Sequence, residues 1–139
     1  MLVKNTKTLI LGGVRSGKSR LAERLAHETQ LSVIYIATAT IEDEEMRQRI
    51  VQHQTHRPDH WQVIEEPIKL ASVLQQYAAP SRCLLIDCLT LWLTNLLVQN
   101  NPEQFDQERQ VLLETLPSLT GRVILVSNET NLGITPLGE

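Results

Sequence analysis

Apolar positions along the chain cluster into short runs, and amphipathic stretches separate them. Thr8–Leu11, Ser32–Ala37, Arg82–Asp87 and Val123–Val126 are of strand length and apolar at successive positions, the pattern of strands buried on both faces. Trp61–Glu65 alternates instead and predicts a further short strand. Between the runs, Leu21, Ala22, Leu25 and Ala26 fall at helical spacing and predict a helix from Ser19 to about His27. A second helix is expected from Glu42 to about His56. Its start carries Glu42, Asp43, Glu44 and Glu45, where the helix dipole favours acidic groups, and Arg57-Pro58 closes it. Pro67 suits the first turn of a helix with Leu70, Val73 and Leu74 as its apolar stripe. Leu89, Trp92, Leu93, Leu96 and Leu97 predict a largely buried helix. After a turn at Asn100–Glu103, Phe105 to Leu116 predicts an amphipathic one ended by Pro117. Strand, loop and helix thus repeat, which predicts an α/β fold with a mostly parallel sheet and helices on both faces.

Composition narrows the class. With 139 residues the chain has enough length for one core, so a single domain over residues 1–139 is expected. A net charge of −3 argues against a protein whose main task is holding nucleic acid. Cys83 and Cys88, the two cysteines, match no zinc or redox spacing and read as buried reduced thiols. The longest apolar stretch, Leu84 to Val98, contains Asp87 and Asn95 and is too short to cross a bilayer. The apolar run near the N-terminus is the first strand rather than a signal peptide. A soluble, cytoplasmic protein is the expectation.

The most specific chemistry lies just after that first strand. Gly12, Gly17, Lys18 and Ser19 occupy every fixed position of G-x-x-x-x-G-K-[ST]. Gly12-Gly13-Val14-Arg15-Ser16-Gly17 lets backbone N–H groups turn inward around phosphate, and the following helix points its positive end at the same place. Lys18 supplies a charge for the β- and γ-phosphates, and Ser19 a hydroxyl for Mg2+. The bland alternative is a glycine-rich turn with a solvated lysine. The motif makes the expected fold P-loop NTPase-like (RecA-like). Thr38-Ala39-Thr40 follows the second strand and should sit beside the loop, with Thr40 also suited to capping a helix. Asp87 ends an apolar strand, where a phosphate-loop protein places a residue that handles Mg2+ or nucleotide; capping the next helix is its alternative role. His53 lies one helical turn from both Arg49 and Arg57, a poor set for a core and a plausible one near phosphates. Lys69 lies off its helix's apolar stripe and reads by default as a solvated lysine.

Several of these pieces, in order, resemble one family. They are Gly12–Ser19; Tyr35-Ile36-Ala37-Thr38; Glu45-Met46 through Arg49-Ile50 and His53 to Arg57-Pro58 and Trp61; Leu85–Thr90; Thr94–Leu97; and Ser127-Asn128-Glu129 with Gly133-Ile134 and Pro136. Together they resemble the bifunctional adenosylcobinamide kinase / adenosylcobinamide-phosphate guanylyltransferase family of cobalamin biosynthesis. The resemblance implies phosphorylation of adenosylcobinamide with GTP or ATP. Transfer of GMP from GTP to that phosphate then follows through a guanylylated histidine, giving adenosylcobinamide-GDP. Carried over by position, the guanylylated histidine is His53, not His56 or His60, and Lys18 is its catalytic partner. The implied nucleotide contacts are Gly12, Gly13, Val14, Arg15, Ser16, Gly17, Lys18, Ser19, Arg20, Ala39, Thr40, Ile41, Gln54, Arg57, Lys69 and Asp87. Ser19 and Asp87 are also the implied Mg2+ ligands, which leaves Asp87 two roles, metal or nucleotide. A homo-oligomer, as a trimer, is implied as well. Two departures stand out: Thr130-Asn131 replaces small apolar residues, and the chain ends at Glu139, short of the family's C-terminal segment. The competing readings are a generic P-loop kinase or NTPase without covalent GMP, and an inactive GTP-binding remnant.

Overall fold

The computed structural model describes residues 6–12, 18–38 and 61–128. Within them lie five strands: β1 (Lys7–Gly12), β2 (Ser32–Ala37), β3 (Gln62–Glu65), β4 (Arg82–Asp87) and β5 (Arg122–Asn128). They form one sheet in the order β1-β5-β4-β2-β3, and every pairing is parallel. Four helices accompany them: α1 (Lys18–Glu28), α2 (Leu70–Tyr77), α3 (Leu89–Val98) and α4 (Pro102–Thr115). This is the α/β class that the alternating runs predict, consistent with a P-loop NTPase-like fold. The helix expected over Glu42–His56 falls outside the described residues.

The strands' two-residue period sorts the core into two layers. Ile34, Ile36, Leu84, Ile86, Val123 and Leu125 face one way, against Leu70 and Leu74 of α2, Trp92 and Leu96 of α3 and Leu112 of α4. Val33, Tyr35, Ala37, Cys83, Leu85, Ile124 and Val126 face the other way, against Ala22 and Ala26 of α1. Helices therefore cover both faces. The two alanines, both fully buried, let α1 lie close on the sheet. Among the described residues no helix is long and apolar enough to cross a membrane.

Several expectations are corrected. β1 reads as a buried strand, yet Ile10 is its buried side chain, while Leu9 and Leu11 are 53% and 62% exposed. Among the described residues β1 pairs with β5 alone, so it is an edge strand whose apolar run is not matched by cover. α2 starts at Leu70, not Pro67. The Glu66 carboxylate accepts the N–H groups of Ile68 and Lys69, at 3.1 and 2.9 Å, and holds Glu66–Lys69 in a turn ahead of the helix. Leu97 belongs to the expected buried stripe of α3 but is 66% exposed, because the helix presents Trp92 and Leu96 to the sheet and turns Leu97 outward. α4 begins at Pro102 rather than Phe105, since the Asn101 side chain accepts the Gln104 N–H and Pro102 occupies the first turn. Pro117 lies in a short 3-10 turn, Leu116–Ser118, instead of ending α4 directly.

Gly121 makes the corner into β5 possible. Its φ is +82°, and an added Cβ would run into the carbonyl oxygens of Ala79 and Arg82.

Both cysteines are free and buried, as expected. Burial pushes the Cys83 thiol up to about 11, with the Arg122 charge and a Thr29 hydrogen bond pulling weakly the other way. The folded state thus holds this proton more tightly than the unfolded chain. The stabilisation is complete below pH 9 and is lost as the pH climbs toward 11. Urea titrations across that window should show a loss of about 2–3 kcal/mol in the wild type beyond that of Cys83→Ala. Parallel pH profiles for the two proteins would contradict this.

Candidate active site

The carboxyl ends of parallel strands form one rim of the sheet, and the candidate residues gather along it. β1 ends on Gly12 and α1 begins at Lys18, so the strand and helix that must flank a phosphate-binding loop stand on either side of it. Gly13, Val14, Arg15, Ser16 and Gly17, the loop itself, lie outside the described residues, as do Ala39, Thr40, Ile41, His53, Gln54 and Arg57. Lys18 and Ser19 are the first two backbone positions of α1, and Arg20, the third, is exposed.

Asp87 closes β4. In register it sits beside Ala37 of β2 and Val126 of β5, and Val126 in turn pairs with Ile10, two residues before β1 ends. Its strand position shares the face of Cys83 and Leu85, the face that α1 covers. Asp87 and the start of α1 are therefore on one side of the sheet at the same rim. The carboxylate is anchored: the Tyr35 hydroxyl donates to Asp87 Oδ2 at 2.6 Å. Asp87 does not cap the helix that follows. Cys88 does so, with its Sγ accepting the Leu91 N–H.

The backbone after Asp87 is clamped. The Asp87–Cys88 peptide is cis, and Thr38 brackets it. The Thr38 backbone N–H donates to the Asp87 carbonyl at 3.1 Å. Its hydroxyl donates to the Cys88 carbonyl at 2.8 Å and accepts the Cys88 N–H at 2.9 Å. From α3, Asn95 Nδ2 donates to the Thr38 carbonyl at 2.8 Å and to the Pro67 carbonyl at 3.1 Å. One amide thus ties the end of β2 to the loop after β3. Thr90 and Ser127 join hydroxyls at 3.0 Å, linking the start of α3 to the end of β5. With buried polar groups satisfied by one another, the rim is a connected scaffold rather than a set of independent loops.

Lys69 lies elsewhere on that rim, in the loop after β3, two strands over from β4. The Trp92 indole N–H donates to the Ile68 carbonyl at 2.7 Å and fixes this loop from beneath. Lys69 is exposed and stands near Glu66 and Glu108. Burial raises the Glu108 carboxyl above its ordinary value; the Lys69 charge works against the rise and the Glu66 charge adds to it.

Sequence reasoning placed Asp87 at the end of an apolar strand and Lys18 at a strand–helix junction; β4 ends on Asp87 and α1 begins at Lys18. It missed Tyr35 as an Asp87 partner and Asn95 as a tie between loops. A buried tyrosine needs a partner for its hydroxyl, and that was the available signal. Naming the partner requires knowing that β2 lies beside β4.

Comparison with known proteins adds specificity. The family model for cobinamide kinase / cobinamide phosphate guanyltransferase matches residues 8–139. The chain is 61% identical over 133 residues to the bifunctional adenosylcobalamin biosynthesis protein CobP of Pseudomonas aeruginosa, covering 96% of this chain and 77% of that one. It is 39% identical over 141 residues to the bifunctional adenosylcobalamin biosynthesis protein CobU of Salmonella typhimurium, covering 92% of this chain and 77% of the relative. The Escherichia coli protein of the same name is 36% identical over 141 residues.

Proposed function

Because the chain belongs to the cobinamide kinase / cobinamide phosphate guanyltransferase family, we propose that it phosphorylates adenosylcobinamide with GTP or ATP and then transfers GMP from GTP to the phosphate it has made. The observation that carries this reading is 61% identity over 133 residues, a match that takes in nearly the whole chain. The geometry supports it with a β1–α1 junction suited to a triphosphate and with Asp87 on the α1 side of the same rim.

In the kinase step, the aminopropanol hydroxyl attacks the γ-phosphorus while the loop N–H groups and Lys18 hold the departing diphosphate's charge. In the transferase step, a neutral His53 imidazole attacks the α-phosphorus of GTP. A P–N bond forms, pyrophosphate leaves, and the imidazole gives up its other ring proton. A phosphate oxygen of adenosylcobinamide phosphate then displaces the histidine, whose ring takes a proton back as the P–N bond breaks, yielding adenosylcobinamide-GDP and regenerating the neutral imidazole. The relay divides one difficult transfer into two easier ones. Arg57, four residues on from His53 in sequence, supplies positive charge for the phosphates, with Arg15, Arg20 and Gln54 as further polar contacts. Lys69 is assigned to the guanosine nucleotide.

Mg2+ suits the oxygen donors proposed for it: the Ser19 hydroxyl and the Asp87 carboxylate, completed by phosphates and water. When bound, it neutralises charge on the phosphates that Lys18 also contacts. We assign the enzyme to the cytoplasm, with residues 1–139 belonging to a single P-loop nucleotide-binding domain that assembles as a homo-oligomer, a trimer by resemblance. Exposed Leu97 and Val98 give such an assembly apolar surface to bury.

The test uses two labels. With adenosylcobinamide, γ-labelled GTP should give labelled adenosylcobinamide phosphate, and α-labelled GTP should give labelled adenosylcobinamide-GDP. Release of inorganic phosphate alone would favour a generic NTPase.

A further inference from the structure

Asp87 reaches the rim with a side-chain partner of its own, and the way the two meet is specific. β2 and β4 pair with Tyr35 opposite Leu85 and Ala37 opposite Asp87. Tyr35 and Asp87 are therefore diagonal neighbours on one face, a separation that an aromatic side chain can bridge. Tyr35 is 5% exposed and packs in the layer beneath α1, so its ring fills core space that a phenylalanine would fill equally well. What phenylalanine cannot supply is the hydroxyl, which donates to Asp87 Oδ2 at 2.6 Å. A hydrogen bond to a carboxylate is stronger than one between neutral groups. Rotation about an aspartate's last torsion is otherwise broad, so this bond selects which way the carboxylate plane faces.

The backbone is held separately. Thr38 fastens the Asp87–Cys88 peptide through its own N–H and hydroxyl, and Asn95 fastens Thr38 from α3. None of these bonds involves the phenol. The path of β4 is thus set by one group of contacts and the direction of its terminal carboxylate by another.

We propose that Tyr35 is a positioning residue: its hydroxyl orients the Asp87 carboxylate toward the divalent cation that accompanies the bound triphosphate. This rests on the reading of Asp87 as a metal-handling residue. Tyr35 itself touches neither nucleotide nor metal. Its removal should weaken cation binding without loosening the sheet.

The test measures Mn2+ binding to the full chain by electron paramagnetic resonance, in the presence of a non-hydrolysable GTP analogue. Wild type, Tyr35→Phe and Asp87→Asn are compared, and thermal melting is followed alongside. Tyr35→Phe should weaken Mn2+ binding about tenfold, the usual effect of removing a group that orients a ligand. Asp87→Asn should weaken it at least as much. Binding of the analogue alone, in EDTA, should be unchanged in Tyr35→Phe. If Tyr35→Phe binds Mn2+ like wild type while Asp87→Asn does not, Asp87 keeps its metal role and the positioning role is overturned. If Asp87→Asn binds Mn2+ as wild type does, the metal reading of Asp87 falls, and the proposal with it. A lower melting temperature for Tyr35→Phe with unchanged Mn2+ affinity would make the hydroxyl purely structural, again overturning the proposal.

Discussion

His53→Ala should remain unlabelled when incubated with α-labelled GTP and Mg2+, while the wild-type chain retains label through denaturation and gel filtration. The label should be acid-labile and stable in alkali, as a phosphoramidate is and a phosphate ester is not. Alanine removes the imidazole nitrogen that forms the P–N bond. GMP transfer should fall by at least about 10³-fold, the scale seen when a covalent nucleophile is deleted. Kinase turnover should stay within a few-fold of wild type, because attack on the γ-phosphorus does not pass through the imidazole. This split separates the proposed relay from its rival. A histidine serving only to hold the fold would depress both reactions together, and would lower the melting temperature as it did so. Equal labelling of His53→Ala and wild type would end the assignment. His56→Ala and His60→Ala provide the controls, since neither occupies the nucleophile's position and both should label normally.

The strands were the most legible part of the chain, for a physical reason. A strand buried on both faces must be apolar at successive positions, and Ser32–Ala37 and Arg82–Asp87 were bounded without error. β1 shows the limit of the same rule. Its apolar run implies burial, but burial depends on neighbours, and among the described residues the strand of Leu9 and Leu11 pairs with β5 alone. Helix starts failed where a side chain competed for the first turn. Pro67 suits a helix start, but the Glu66 carboxylate captured the next two free N–H groups and delayed α2 to Leu70. Asn101 did the reverse for α4, capping earlier than the apolar periodicity shows. Around the candidate site the local signals are short-range: a glycine-rich strand–helix junction and a carboxylate at a strand end are each read within a few residues, and β4 does end on Asp87. The Tyr35–Asp87 and Asn95–Thr38 bonds join residues 52 and 57 positions apart. They exist only because of the strand order, in which β4 lies between β2 and β5. Nothing within either segment announces that order.

Lys18→Ala should impair both reactions, and it is this breadth that distinguishes it from His53→Ala. The lysine is the first residue of α1, at the junction that ends β1. In the proposed mechanism its ammonium neutralises charge on the β- and γ-phosphates, which form the leaving group's side of the α-phosphorus and the reacting centre of the kinase step. Both transition states gather charge on those oxygens, so both lose stabilisation. A loss of about 10²–10³-fold in each kcat is expected, the range for removing one preorganised group that meets developing charge. GTP affinity should fall less than turnover, because the proposed binding also draws on backbone N–H groups and the positive end of α1, which the substitution leaves in place. The fold should be preserved: alanine is the best helix former, and Ala22 and Ala26, which pack α1 against the sheet, are untouched. An unchanged melting temperature together with loss of both activities is the expected pattern, read from circular dichroism and the two-label assay. If Lys18→Ala keeps the kinase reaction near wild-type rates while losing only GMP transfer, the two reactions do not share a phosphate cradle. The single-site scheme would then have to be replaced by two separate nucleotide sites.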